Sequence, residues 1–186
     1  MRLSGQGHGK AHHCGCGMRQ SGRGISAAQT FPAYPIERGM GYGYEAAYTQ
    51  ATRMLGTGRT FASQLDRAGK KMFGHLFGGI FAIDTLPPVL RDGRRGYLVN
   101  TDCLLGDDCG KGVHWIAVMD LDGERLMSDP LGSVGKQQRR DLNALHRPIW
   151  AEDDAEMQAD ESTCGPRSLA ALAVGLKHGK EAFLAV

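Results

Sequence analysis

The second half of the chain contains a cysteine whose surroundings could make it reactive. Cys164 stands directly before an apolar stretch, residues 165–176, that is predicted to be a helix with Pro166 in its first turn. A helix N-terminus favours a thiolate through its unpaired N–H groups and its dipole. The same N–H groups can stabilise an oxyanion. The sequence therefore predicts that Cys164 is a nucleophile.

A predicted hairpin upstream brings a histidine and an aspartate to one face of a sheet. Residues 113–121 and 124–128 are strand-like and flank an Asp-Gly pair, which is a strong hairpin signal. In the register of a two-residue turn, His114 and Asp129 are diagonal neighbours, about 7–8 Å apart between backbones. An imidazole and a carboxylate can bridge that gap. Asp129 would then fix the tautomer of His114 and stabilise its imidazolium.

An amide side chain completes the set of candidate catalytic residues. Gln158 lies six residues before Cys164 and could donate a hydrogen bond to an oxyanion. Each residue has a simpler interpretation when taken alone: a buried cysteine, a structural histidine in an apolar strand, or a turn aspartate before proline. The combination in one chain favours catalysis over these interpretations.

These residues also carry a resemblance to a known protease clan. The features that match are His114-Trp115 in a strand, the Asp-Pro-Leu-Gly of residues 129–132, Gln158, Cys164-Gly165, and the Gly-Ile-Phe-Ala-Ile-Asp-Thr-Leu-Pro of residues 79–87. The chain resembles the adenoviral and SUMO-specific cysteine proteases. Residues 79–87 are similar to the adenoviral-type (adenain-like) branch, which includes proteases of polinton-like elements and large DNA viruses. The resemblance covers about residues 78–186.

The resemblance implies a fold and a role for each matching residue. The implied fold is α+β, with a central mixed sheet and the nucleophilic cysteine at the N-terminus of a buried helix. The implied roles are general base for His114, orienting carboxylate for Asp129, nucleophile for Cys164 and oxyanion donor for Gln158. Trp115 and Gly165 are expected to lie at the substrate, although Trp115 could equally be a core aromatic.

The implied activity is that of a cysteine endopeptidase that cleaves at Gly-rich, Gly-Gly-like sites. Its protein substrates would be viral capsid or core precursors, matured in the virion and in the interior of the host cell, nucleus or cytoplasm. No cofactor is expected to be required; stimulation by DNA or by a peptide stays open, because no segment matches the activating peptide of the adenoviral enzyme. Two alternatives remain: a deconjugating protease for a ubiquitin-like modifier, and a non-enzymatic capsid-associated protein that binds DNA or a membrane.

The front of the chain differs from the rest in charge. Residues 1–80 contain 10 Lys/Arg and 3 Asp/Glu, whereas residues 81–186 contain 12 and 17. A basic, Gly-rich segment suits DNA or another polyanion, and a solvated tail is the alternative. We predict a flexible basic segment at 1–58, with a short helix at 44–55, an amphipathic helix at 59–77 and a protease domain at 78–186.

The remaining cysteines, histidines and glycines give weaker signals. Five cysteines in no regular framework favour a reducing compartment. The His/Cys group at residues 8–16 lacks a standard finger spacing, so no metal site is predicted. Residues 3–7, 54–58 and 76–80 fit Gly-x-Gly or Gly-Gly cleavage patterns, and the last is expected inside the fold. No apolar run is long enough for a transmembrane segment.

Overall fold

A computed structural model describes residues 43–101, 114–130, 132, 134, 136–151 and 163–186. The helices in this part of the chain are α1 (Tyr44–Leu55), α2 (Ala62–Phe73), α3 (Lys136–His146), α4 (Cys164–His178) and α5 (Lys180–Leu184). The strands are β1 (Phe77–Ala82), β2 (Arg94–Asn100), β3 (Trp115–Leu121), β4 (Glu124–Ser128) and β5 (Ile149–Trp150). A short 3₁₀ turn, Gly74–Leu76, joins α2 to β1.

The strands form one mixed sheet in the order β1-β2-β3-β4-β5. The β1/β2 and β4/β5 pairs are parallel, and the two pairs between them are antiparallel. The predicted α+β class with a central mixed sheet is confirmed. Cys164 is buried at the start of α4, as the fold prediction requires.

The β3–β4 hairpin has the predicted register. Leu121 pairs with Glu124, and the turn residues Asp122 and Gly123 have φ angles of 46° and 87°. Positive φ at both turn positions gives a twist that matches the flanking strands, which is why Asp-Gly is favoured there. This register decides which side chains share a face at both ends of the hairpin.

Helix α4 packs against one face of the sheet, and α1, α2 and α5 surround it. Its leucines at 169, 172 and 176 are completely buried. Gly96 of β2 lets the helix approach closely, because a Cβ atom there would lie 3.0 Å from the Leu172 side chain. The helix carrying Cys164 is therefore fixed along its length by apolar packing.

The opposite face of the sheet is covered by α3 and by the connection between β1 and β2. Ile116, Val118 and Met127 alternate with the residues that face α4, and they pack on Leu142 of α3. The two clusters divide the core into layers above and below one sheet. This alternation follows from the period of two along a strand.

Helix α1 belongs to the core and not to a flexible segment. It lies at the predicted residues 44–55, and Tyr44, Ala47 and Ala51 are buried against α4. Small alanine side chains allow this close packing. The folded part therefore begins at or before Tyr44, so the predicted flexible range 1–58 extends too far; residues 1–42 lie outside the described residues.

The second helix is shorter than the predicted range 59–77. It ends at Phe73, where Gly74 has a φ of 56°, and Phe77 already starts β1. The predicted cleavage-like match at residues 76–80 lies mostly in β1, inside the fold as expected. Strand β5 was not predicted, because a two-residue strand leaves no periodic pattern. Within the described ranges, no helix is both long and apolar enough to cross a membrane.

Candidate active site

His114 and Asp129 meet at the open end of the β3–β4 hairpin. The ladder runs to the pair Ala117 and Ser128, and beyond it the His114 Nε2 atom lies 2.5 Å from Asp129 Oδ1. The two side chains are 13% and 3% exposed. The predicted contact between imidazole and carboxylate is therefore present.

Backbone groups hold this pair in place. The Val134 N–H donates to Asp129 Oδ2 at 2.7 Å, and the Gly132 N–H donates to the Asp129 carbonyl at 3.1 Å. On the other side, the Thr101 N–H donates to the His114 carbonyl at 3.0 Å. The carboxylate thus has one oxygen fixed by the backbone and the other directed at the imidazole.

Cys164 is the first residue of α4 and is only 3% exposed. The preceding Thr163 makes no side-chain cap to the helix; its hydroxyl accepts a hydrogen bond from Arg167 Nε at 3.1 Å. The N–H groups of the first turn are therefore left uncapped by that side chain. Uncapped N–H groups and the helix dipole favour negative charge at this point, on a thiolate or on an oxyanion.

The charge of His114 is set by its surroundings. Burial by itself lowers its pKa, but interactions with the Asp129 carboxylate and with the Cys164 side chain outweigh burial and raise the pKa from 6.5 to about 9. Asp129 occupies Nε2, whereas the buried Nδ1 forms no aligned hydrogen bond within the described part of the chain. Nδ1 is thus the ring nitrogen available for the interaction with Cys164.

Trp115 and Gly165 are both predicted to contact substrate, and both contact Thr60. The Trp115 indole N–H donates to the Thr60 carbonyl at 3.3 Å, and the Trp115 carbonyl accepts from the Ser168 hydroxyl at 2.9 Å. A Cβ atom on Gly165 would overlap the Thr60 hydroxyl oxygen. These contacts join α4 to β3 next to the site, and substrate contact by either residue stays a prediction.

Sequence reasoning missed Thr60 and Ser168. Ser168 left a weak signal, since it is a polar residue within the apolar helix that Cys164 begins. Thr60 left none, because its contacts are with residues far away along the chain.

Other predicted site residues fall outside the described part of the chain. Gln158 does, and so do the His/Cys group at residues 8–16 and the cysteines at 103 and 109. In the described part, no group of three or more His, Cys, Asp or Glu side chains is arranged to bind a metal ion. In the described part of the chain, the candidate active site therefore consists of Cys164, His114 and Asp129.

No model of a known protein family matches this chain, and no curated protein matches it either. The geometry of the site therefore carries the chemical argument. A thiol at a helix N-terminus, an imidazolium beside it and a carboxylate that orients the ring are an arrangement suited to covalent acyl transfer.

Proposed function

We propose that this protein is a cysteine endopeptidase with Cys164 as nucleophile, His114 as acid and base, and Asp129 as orienting carboxylate. The observation that carries the proposal is how the two ring nitrogens of His114 are used. Nε2 is bound to Asp129, while the buried Nδ1, near Cys164, has no aligned partner among the described residues. A buried histidine with a purely structural role is expected to hydrogen-bond through both ring nitrogens. An open nitrogen beside a thiol suits proton transfer.

The raised pKa of His114 means that its ring holds the proton as an imidazolium at neutral pH. An adjacent cation and the N-terminus of α4 favour a thiolate, which we propose as the attacking form of Cys164. In acylation the thiolate attacks the carbonyl carbon of the scissile peptide bond. The imidazolium donates its proton to the departing amine nitrogen, the C–N bond breaks, and a thioester remains on Cys164.

Deacylation uses the neutral imidazole that acylation leaves behind. His114 removes a proton from water, and the resulting hydroxide attacks the thioester carbonyl. The C–S bond breaks, the carboxylic acid product departs, and the thiolate and imidazolium are restored. Asp129 keeps the ring oriented in both steps and stabilises each return to imidazolium.

Two donors are proposed for the oxyanion that forms in each step. One is the Cys164 backbone N–H, at the N-terminus of α4, which the Thr163 side chain does not cap. The other is the Gln158 side chain, which the resemblance to adenoviral-type proteases supplies. No metal or organic cofactor takes part in this scheme, and stimulation by DNA or a peptide is left open.

The proposed substrates are proteins with Gly-rich, Gly-Gly-like sites, in particular viral capsid or core precursors in the virion and the host cell. This rests on the resemblance of residues 78–186 to the adenoviral-type branch. Deconjugation of a ubiquitin-like modifier is the second candidate, because the same three catalytic side chains serve both reactions. A purely structural, DNA- or membrane-binding role would leave the His114 geometry unexplained.

The test is hydrolysis of two substrates side by side: a peptide with an internal Gly-Gly bond and a SUMO-type precursor. We expect cleavage of the peptide, complete loss in Cys164→Ala, and retention in the matched variants Cys103→Ala and Cys109→Ala. Faster cleavage of the precursor would favour the deconjugase. Equal activity of wild type and Cys164→Ala would rule out the proposed nucleophile.

We further propose that the basic front of the chain binds DNA or another polyanion. Its excess of Lys and Arg over residues 1–80 supports this. Affinity should fall steeply between low and physiological salt, because binding releases counterions. The comparison is between the full chain and a protein that begins at Gly43, which keeps the buried α1. Equal affinity of the two proteins for DNA would show that residues 1–42 do not contribute to the binding site.

A further inference from the structure

Thr60 lies between β3, which begins directly after His114, and α4, which begins with Cys164. Its carbonyl oxygen accepts the indole N–H of Trp115, the residue after His114. Its side chain lies against Gly165, the residue after Cys164, closely enough that a Cβ on Gly165 would overlap the hydroxyl oxygen. One residue therefore contacts the immediate neighbours of both reacting groups.

Thr60 is buried although the segment around it is not. It is 4% exposed, whereas Phe61 is 67% exposed and Arg59 is also exposed. The segment connects α1 to α2 and inserts this one side chain into the core beside Leu65. Among the described residues its hydroxyl has no hydrogen-bond partner. The side chain therefore acts on Gly165 through its shape, and the carbonyl acts on Trp115 through a hydrogen bond.

We propose that Thr60 is a positioning residue that sets the distance between Cys164 and His114. The inference rests on the proposed function of this site. The start of α4 can move only as far as the contact between Thr60 and Gly165 allows, and β3 is tied to the same residue through Trp115. A shift of about 1 Å between nucleophile and base is enough to lower a rate by about a hundredfold.

The test is a set of variants at the two contact positions. Thr60→Ala removes the contact, Thr60→Ser keeps part of it, and Thr60→Val keeps its shape without the hydroxyl. Gly165→Ala introduces the overlap at a helical position where alanine is otherwise favourable. The double variant Thr60→Ala/Gly165→Ala removes most of that overlap. The measurements are kcat and KM for the Gly-Gly peptide, and the rate of Cys164 alkylation by iodoacetamide against pH.

Thr60→Ala should lower kcat by about tenfold or more with KM nearly unchanged, because the groups are misplaced and not lost. Thr60→Ser should fall in between, and Thr60→Val should restore at least about half of the wild-type kcat. Gly165→Ala should be slower still, and adding Thr60→Ala to it should recover about fivefold or more, since contacting residues couple. The alkylation profile should shift in Thr60→Ala and return in Thr60→Val.

An unchanged kcat and alkylation profile in Thr60→Ala and Thr60→Ser, with only a lower Tm, would reduce Thr60 to a packing residue and overturn the proposal. Additive effects of the two single variants would overturn it as well. The alkylation measurements do not need peptide hydrolysis. If the wild type cleaves no peptide, the proposed function fails, while the alkylation profiles of the same variants still decide the role of Thr60.

Discussion

Two ionisable pairs lie on the same face of the β3–β4 hairpin, one at each end. Asp120 and Arg125 face each other beside the turn, and His114 and Asp129 meet at the open end. Both pairs are almost completely buried. They differ in how many of their hydrogen-bonding atoms are already used, and that difference separates a structural pair from one that can do chemistry.

In the pair beside the turn, Asp120 and Arg125 already have hydrogen-bond partners for their charged groups; we call it the saturated pair. Arg125 makes two hydrogen bonds to the Asp120 carboxylate at 2.7 and 2.8 Å and donates to the Pro87 carbonyl at 2.9 Å. The second Asp120 oxygen also accepts the Leu90 N–H at 3.0 Å. These bonds fasten the connection between β1 and β2 over the sheet. A buried ion pair of this kind fixes local structure because its charges are fully compensated.

Two histidines show the same contrast: His146, which contacts Arg125, and His114, which belongs to the other pair. His146 Nδ1 lies 3.3 Å from Arg125 Nη1, and its Nε2 lies 3.1 Å from the Ile83 carbonyl oxygen. Nδ1 accepts and Nε2–H donates, so both ring nitrogens are occupied. To the residues that the structure describes, His114 hydrogen-bonds through Nε2 alone, and its Nδ1 has no aligned partner there. A buried histidine with an open nitrogen beside a thiol is therefore the candidate for proton transfer.

The largest expected difference between the two histidines is in activity, after each is exchanged for glutamine. His114→Gln should lower kcat/KM by about a thousandfold or more, since it removes the proposed acid and base. His146→Gln should keep the activity of the folded fraction and lower the Tm, because Gln restores only part of its hydrogen bonding. Peptide hydrolysis and thermal unfolding are measured on both. A larger loss of activity in His146→Gln than in His114→Gln would reverse the assignment.

The saturated pair should matter for stability alone. Arg125→Met leaves Asp120 as a buried uncompensated charge and should lower the free energy of unfolding by about 3–5 kcal/mol. The matched control is Lys180→Ala, which breaks the exposed pair with Glu124 and should change stability by about 0–1 kcal/mol. Urea unfolding measures both. Similar losses in the two variants would show that the buried pair is not special.

Asp129→Asn tests whether the carboxylate at the open end of the hairpin controls the protonation of His114. Asparagine keeps an acceptor for the Val134 N–H but removes the charge that helps to raise the pKa of His114. Activity should fall by about tenfold to a hundredfold, and the basic limb of the kcat/KM profile should move below its wild-type position near pH 9. A basic limb that stays in place would mean that Asp129 does not control the protonation of His114.

The smallest expected effect is on the pH dependence of stability. Because the folded pKa of His114 is raised to about 9, its contribution to stability is fully present below its unfolded value near 6.5 and is lost as the pH rises through about 9. Wild type should therefore lose stability over that window relative to His114→Gln. Parallel curves for the two proteins, measured by urea unfolding from pH 6 to 10, would contradict the raised pKa.

Local pattern was enough to predict several parts of the molecule. Asp122-Gly123 fixed the hairpin register, and this register alone placed His114 within reach of Asp129. Apolar periodicity and Pro166 predicted the helix that Cys164 begins, and the first helix was predicted at residues 44–55, where it is found. Turn chemistry, strand alternation and helix period are properties of neighbouring residues, so a sequence can display them without a folded core.

The tertiary structure alone decided the contacts between distant residues. It placed α1 in the core, inserted Thr60 between β3 and α4, and gave Arg125 and His146 their saturated partners. It also determined which ring nitrogen of His114 has no hydrogen-bond partner among the described residues. Such contacts depend on how whole elements pack, and packing depends on shape and burial summed over the chain. The sequence by itself therefore determined the residue types of the site and the register of its hairpin, whereas packing decided which of them meet and with which atoms.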